Sequence, residues 1–208
     1  AARNLQAMQW ALKGLMAAGT NDTEAIDCFI KALELNPENI DLYAERALAF
    51  LRSGLPERAA GDYSKMIALS PEDPSLYMKR AEAFLKMKRP AEAVADLDRA
   101  LALNPAGADI YYLRGTVNRG EGRLAEAIRD YQRALEINPG HQDAKKDLEL
   151  CFQDIRMQDP NISYFDALLE RRPDNVQAIL GRGVVHWKLG HDREAIRDLS
   201  RVIELKPS

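Results

Sequence analysis

Long apolar runs are missing from this sequence of 208 residues, and cysteine is rare. No apolar stretch approaches the roughly 20 residues that a membrane-spanning helix needs, so we expect no direct membrane insertion. No signal peptide is visible either, which makes the cytoplasm the default expectation and leaves open an exported or membrane-associated parent protein. The two cysteines, Cys28 and Cys151, have no metal-ligand spacing, and we expect two unpaired thiols without an assigned role.

An excess of basic residues is also missing. The chain carries 29 Lys and Arg against 32 Asp and Glu, whereas nucleic-acid binding selects strongly basic faces. There is no glycine-rich phosphate loop and no Ser/His/Asp arrangement. The histidines His141, His186 and His191 show no metal spacing with carboxylates, and His186 is interpreted as a core or groove residue. We therefore expect no enzyme, no cofactor, no metal site and no nucleic-acid partner.

The sequence instead has a strict period of 34 residues. Six prolines follow one another at this spacing: Pro37, Pro71, Pro105, Pro139, Pro173 and Pro207. Counted back from these prolines, the repeats are residues 6–39, 40–73, 74–107, 108–141, 142–175 and 176–208. Each repeat holds two segments of about 12–15 residues whose apolar residues recur at spacings of three and four, as in amphipathic helices. The sequence therefore predicts one all-α array of six helical hairpins over residues 1–208.

Small residues occupy fixed positions in this period. Alanine recurs 12 positions before the closing proline, and alanine or glycine recurs 24 positions before it, where the two helices of a hairpin must approach closely. With its helix-turn-helix period and closing prolines, the chain resembles the tetratricopeptide repeat family over residues 6–208. The resemblance implies an α-solenoid superhelix, a concave face lined by the first helix of each hairpin, and a role in protein or peptide binding.

Two repeats depart from the common pattern. The first has Lys13 in a small-residue position with Gly14 beside it, which predicts a first helix shifted by one residue. The repeat 142–175 is degenerate, since charged residues replace aromatic or small ones. There we expect a longer first helix, from Gln142 to about Gln158, a displaced hairpin, and a helix start at Asp159-Pro160.

An arginine and an aspartate recur together in four repeats. The arginine lies 25 positions before the closing proline and the aspartate nine before it, which places both near the middle of antiparallel helices. The first and fifth repeats lack both residues, which favours structural pairing over a groove for an acidic ligand; Cys28 takes the vacated aspartate position. The predicted structural ion pairs are Arg46–Asp62, Arg80–Asp96, Arg114–Asp130 and Arg182–Asp198.

The resemblance also assigns candidate peptide-binding residues on the first helices. In this family the ligand-contacting side chains lie 30, 27, 23, 20 and 19 positions before the closing proline. The candidates for the concave groove are Asp41, Leu48, Leu51, Arg52, Met78, Glu82, Leu85, Lys86, Tyr112, Arg119, Leu180, Val184 and Trp187. A contiguous apolar strip with a charged rim favours a partner site, whereas packing between repeats is the alternative for some of these residues.

The partner is not identified by the sequence. Some members of the family clamp the carboxylate tail of chaperones, but Glu45 stands where the clamp needs asparagine, so we do not expect that ligand. Self-assembly is a second interpretation, because no solvating helix follows the last repeat and residues such as Ile203 would be partly uncovered. A homo-oligomer through this uncapped C-terminal repeat stays open, and so does an accessory interaction domain of a larger protein.

Overall fold

The structure, a computed structural model, describes residues 2–158 and 160–205, without the side chains of residues 155–161. Over these residues the chain is all-α, with no strand. The helices are α1 (Ala2–Ala17), α2 (Asp22–Leu35), α3 (Ile40–Arg52), α4 (Pro56–Leu69), α5 (Pro74–Lys86), α6 (Pro90–Leu103), α7 (Ala108–Gly120), α8 (Leu124–Ile137), α9 (Gln142–Gln158), α10 (Pro160–Arg171), α11 (Val176–Lys188) and α12 (Asp192–Leu205). The predicted all-α class and helix-turn-helix repeats are confirmed. No helix in this described part is long and apolar enough to span a bilayer.

Helix starts and turns follow local sequence signals. Asn39 begins α3 by accepting a hydrogen bond from the backbone N–H of Leu42 at 3.2 Å, and capping residues recur one period later. Gly54 turns the second hairpin with a φ of 73°, a conformation that glycine adopts without steric cost. The third hairpin places Lys88 at the same turn with a φ of 55°, so a residue with a Cβ holds a left-handed conformation there.

The chain divides into two compact units, Ala1–Val117 and Asn118–Ser208, and the division falls within α7. In the first unit, Phe29, Tyr63 and Leu97 recur eight positions before the closing prolines and are almost fully buried between helices. In the second unit, Tyr131 occupies the same position and is also buried. Large apolar residues at this position of the period therefore lie in the core of both units.

The first repeat shows the predicted shift. Gly14 is buried, and a Cβ at this position would lie 2.7 Å from Cε1 of Phe29, so only glycine lets α1 approach α2 this closely. Lys13 is exposed and pairs with Glu24 at 3.1 Å. Cys28 is a free, buried thiol in the position that holds aspartate in four other repeats. Gly14 thus takes the small-residue position that the register assigns to Lys13.

The fifth repeat is irregular, as its composition predicts. Helix α9 has 17 residues, against 13 in the first helices α3, α5, α7 and α11. It contacts α10 much less than α11 contacts α12. Tyr164, in the aspartate position of the period, is 61% exposed, whereas Asp198 is 4% exposed. The fifth hairpin is therefore displaced; the proposed cap at Asp159 lies outside the described residues.

Candidate peptide-binding surface

Paired arginines and aspartates join the two helices of three hairpins. Arg46 donates two hydrogen bonds to Asp62, from Nε at 2.9 Å and from Nη2 at 2.6 Å. The same two-pronged geometry recurs for Arg80 with Asp96 and for Arg182 with Asp198, at distances of 2.7 to 2.8 Å. The aspartates are buried, so these pairs are shielded from water. Arg114 and Asp130 belong to different units, and their pairing stays a prediction.

The third guanidinium nitrogen of the arginine reaches the preceding hairpin. Arg80 donates from Nη1 to the Ser64 hydroxyl at 3.0 Å, and Arg114 donates from Nη1 to Asp98 at 2.6 Å. In the second unit, Arg182 donates from Nη1 to Asp166 at 2.7 Å. Each acceptor precedes its arginine by 16 residues, a regularity that was visible in the sequence but was not part of the sequence prediction.

These contacts give the arginines a structural role rather than a role in binding a ligand. Arg46 lies over the rings of Tyr43 and Phe50, at 5.5 and 5.8 Å from the ring centroids. The hydrogen bond to Asp198 raises the pKa of Arg182 above its ordinary value against the opposing effect of burial. An arginine that is charged, stacked on rings and bonded to carboxylates has few donors left for an acidic ligand.

Packing between repeats takes up part of the predicted groove in the first unit. Leu51, Met78 and Leu85 are half-buried and pack against the hydrophobic cores beneath α3 and α5. Leu48 stays 43% exposed on α3. Apart from Arg52, the remaining candidates of this unit are the exposed Asp41, Glu82 and Lys86 and the half-buried Tyr112. The free apolar surface of the first unit is therefore narrower than the sequence predicts.

Two arginines of the predicted groove are bound within the protein. Arg52 donates to both carboxylate oxygens of Asp22, with contacts of 2.6 to 3.0 Å, which lowers the pKa of that carboxyl. Arg119, in the second unit, pairs with Asp154 at 3.2 Å and with Asp147 at 3.5 Å. Each side chain therefore links consecutive hairpins within its own unit.

The second unit presents an apolar face on α11. Leu180 and Val184 are each 37% exposed, and Trp187 is 65% exposed. These residues are spaced by four and three, so they lie on one side of the helix. The structure thus brings the three predicted residues of the last repeat together on one accessible surface.

The period, the hairpins and the buried small residues agree with one family. The model of the tetratricopeptide repeat matches residues 21–74, 78–141 and 162–208. This chain belongs to the tetratricopeptide repeat family. No curated protein matches the sequence.

Several solved tetratricopeptide repeat structures are similar to this chain. MamA has a TM-score of 0.59 at 20% identity, covering 96% of this chain and 91% of that one, and so shows the fold alone. YrrB, described as having an unusual peptide-binding site, has a TM-score of 0.52 at 26% identity, covering 88% and 95%. The first repeat domain of Spaghetti (RPAP3), bound to the HSP90 peptide SRMEEVD, has a TM-score of 0.53 at 29% identity, covering 56% and 92%.

One position of the tetratricopeptide repeat is polar in two repeats and apolar in the others. Phe50 and Phe84 lie 21 residues before the closing proline, but Asn118 and His186 stand there in the fourth and sixth repeats. Asn118 is buried, donates to Asp130 at 3.1 Å and accepts from Arg123 at 3.0 Å. These polar substitutions bring their own hydrogen-bond partners, as buried polar groups require.

Proposed function

We propose that this tetratricopeptide repeat protein is a non-catalytic scaffold that binds an extended segment of a protein partner on its first helices. The observation that carries the proposal is the exposed face of Leu180, Val184 and Trp187 on α11. Tryptophan side chains dominate the binding energy of many interfaces, and aliphatic neighbours exclude water around them. The partner segment therefore presents apolar side chains to this face.

The chemistry of the first unit argues against an acidic chaperone tail as the ligand. RPAP3 is seen with such a peptide, but here Glu45 occupies the position where the clamp needs asparagine. A carboxylate at that position would repel the carboxylates of the ligand. The arginines of the first helices are occupied by Asp62, Asp96 and Asp22. We therefore propose an apolar peptide rather than an acidic one.

A pull-down with a matched pair of variants tests this function. Trp187→Ala is expected to abolish capture of the partner while leaving the fold intact, because the side chain is 65% exposed. Ile203→Ala is the control, since Ile203 is 69% exposed but lies on the second helix α12. If Trp187→Ala captures the partner as well as the wild type does, the assignment of this face to partner binding is wrong.

Self-assembly is a second candidate, favoured by exposed apolar residues on α12. Ile196 is 64% exposed and Ile203 69% exposed, whereas the equivalent Ile128 and Leu101 of earlier repeats are 3% and 8% exposed. In a repeat array such positions pack against the next repeat. Sedimentation that shows a dimer in the wild type and a monomer after Ile203→Glu supports this candidate. A concentration-independent monomer excludes it.

A further inference from the structure

The second and sixth hairpins close their turns with the same backbone hydrogen bond. The N–H of Leu55 donates to the carbonyl of Phe50, and the N–H of His191 donates to the carbonyl of His186, both at 2.8 Å. The donor lies 16 positions before the closing proline and the acceptor 21 positions before it. Because the bond holds these two residues across the turn, their side chains emerge next to each other.

The side chains at these two positions contact each other with a different chemistry in each hairpin. In the third hairpin the guanidinium of Arg89 lies over the ring of Phe84, at 5.2 Å from the ring centroid. In the fourth hairpin Arg123 donates from Nε to Oδ1 of Asn118 at 3.0 Å. The sixth hairpin has two histidines at these positions, so its contact is the one of the three that gains protons near neutral pH.

The two histidines form a hydrogen bond that needs one unprotonated nitrogen. The Nδ1 atoms of His186 and His191 lie 3.1 Å apart, so one ring donates its N–H and the other accepts it with a lone pair. His191 is only 3% exposed, and the ring of Phe152 on α9 packs edge-on against it, with 5.8 Å between the ring centroids. The bond therefore closes the turn of the sixth hairpin against the first helix of the fifth.

Proton uptake from solvent by this pair has two distinct steps. A first proton enters at the outer nitrogen, Nε2, of the donating ring and leaves the hydrogen bond intact. A second proton has to enter at the accepting Nδ1, because that atom carries the only free lone pair of its ring. Two N–H groups and two positive charges would then face each other at 3.1 Å, so the bond breaks.

The surroundings of the pair oppose its protonation. Burial lowers the pKa of His186 and of His191, and the neighbouring His186 lowers the pKa of His191 further. The nearby carboxylates counteract this lowering only in part. From α9 the described side chain that faces the pair is the uncharged Phe152. The charged side chains that face it from the other helices are Asp166 on α10, Arg182 on α11, and Asp192, Glu194, Arg197 and Asp198 on α12.

One of these carboxylates is placed to receive an imidazolium that leaves the pair. Oε2 of Glu194 is buried in the wall of a cavity of about 330 Å³ beside the two rings, and it has no hydrogen-bond partner among the described residues. Buried carboxylate oxygens without a partner are rare. The open arrangement of the rings therefore has an acceptor that the closed arrangement leaves unused.

We propose that His186 and His191 form a proton-sensitive clasp, which holds the turn between α11 and α12 against α9 and releases it when both rings are charged. Because burial lowers the pKa of both imidazoles below the ordinary value of about 6.5, the clasp is fully closed above that pH. It opens as the pH falls through the two folded values. Release takes the ring of His191 away from Phe152 and opens the wall of the cavity.

Nuclear magnetic resonance of the whole chain during an acid titration tests the clasp. The imidazole nitrogens of His186 and His191 should titrate in two coupled steps at least about one pH unit apart. Hydrogen exchange of the His191 N–H is measured alongside, as protection relative to chemical exchange. This protection should fall at least about tenfold across the second step. The N–H of Leu55 makes the same backbone bond in the second hairpin and should keep its protection.

The double variant His186→Phe with His191→Leu is the matched control, because Phe50 and Leu55 stand at these positions in the second hairpin. Circular dichroism checks its fold, and the N–H at position 191 should keep its protection over the same pH range. An equal loss of protection in this variant overturns the clasp. In the wild type, independent titration of the two rings or unchanged protection of the His191 N–H overturns it as well. A parallel loss at Leu55 would show general unfolding instead of local release, which also contradicts the proposal.

Discussion

Removing one partner of a buried ion pair should lower the free energy of unfolding far more than replacing both partners. Asp62 is 4% exposed and accepts two hydrogen bonds from Arg46. Asp62→Cys would leave the guanidinium of Arg46, whose side chain is only 17% exposed, without a counter-charge. Loss of one partner of a buried pair typically costs 3–5 kcal/mol, and we expect about 3 kcal/mol here because the arginine retains some contact with water.

The double variant Arg46→Leu with Asp62→Cys should recover most of that loss. Burial raises the pKa of the Asp62 carboxyl although Arg46 lowers it, so desolvation offsets much of the attraction within the pair. The first repeat, which has no such ion pair, already places a buried cysteine, Cys28, at the aspartate position of the period. We therefore expect the double variant to lose only about 1 kcal/mol.

Urea unfolding followed by circular dichroism measures these differences, and a solvated pair serves as the control. The side chains of Arg89 and Glu92 are 47% and 42% exposed, so Glu92→Ala should destabilise the protein far less than Asp62→Cys does. If Asp62→Cys costs no more than Glu92→Ala, the pair is not energetically buried. If the double variant is as unstable as the single one, the loss comes from packing rather than from an unpaired charge.

Two further changes test local features. Lys88→Gly should stabilise the protein by about 1 kcal/mol, because Lys88 has a φ of 55° and glycine adopts that conformation without strain. Thermal or urea unfolding measures the change, and a loss of stability would contradict this explanation. Because burial lowers the pKa of His186 and His191, stability should be fully present above about pH 6.5 and should fall as the pH drops through their folded values. His186→Phe should flatten this acid limb, and an unchanged limb would show that other groups cause it.

The sequence predicts the contacts that recur with the period within one hairpin. It does not predict the contacts between neighbouring hairpins. The small residues and the Arg46–Asp62 type of pair recur at fixed spacings within one hairpin, so comparing the repeats reveals them. The bond from Arg80 to Ser64 joins consecutive hairpins, and its acceptor changes from serine to aspartate along the chain. Leu51 and Met78 were assigned to the groove because their positions alone do not show how far the next hairpin covers them.

The contact between His186 and His191 was missed for a related reason. Its members are five residues apart across the end of α11, a spacing that does not put two side chains on one helix face. Only the turn before α12 brings the ring of His191 back onto His186. Glu194 likewise looks like an ordinary acidic residue in the first turn of a helix, and only the structure shows that its Oε2 is buried.

The irregular fifth repeat explains why a cavity of about 330 Å³ lies between the fifth and sixth hairpins of the second unit. Where the arginine and aspartate are present, they hold the two helices of a hairpin together at mid-length, as Arg182 and Asp198 do. The fifth repeat has Leu148 and Tyr164 at those positions; α9 and α10 contact each other little, and Tyr164 is largely exposed. Arg182 pairs with Asp166 of that hairpin, and Phe152 and Ile162 line open space beside the two histidines. Loss of the structural pair in the fifth repeat thus leaves open space beside the pair of the sixth.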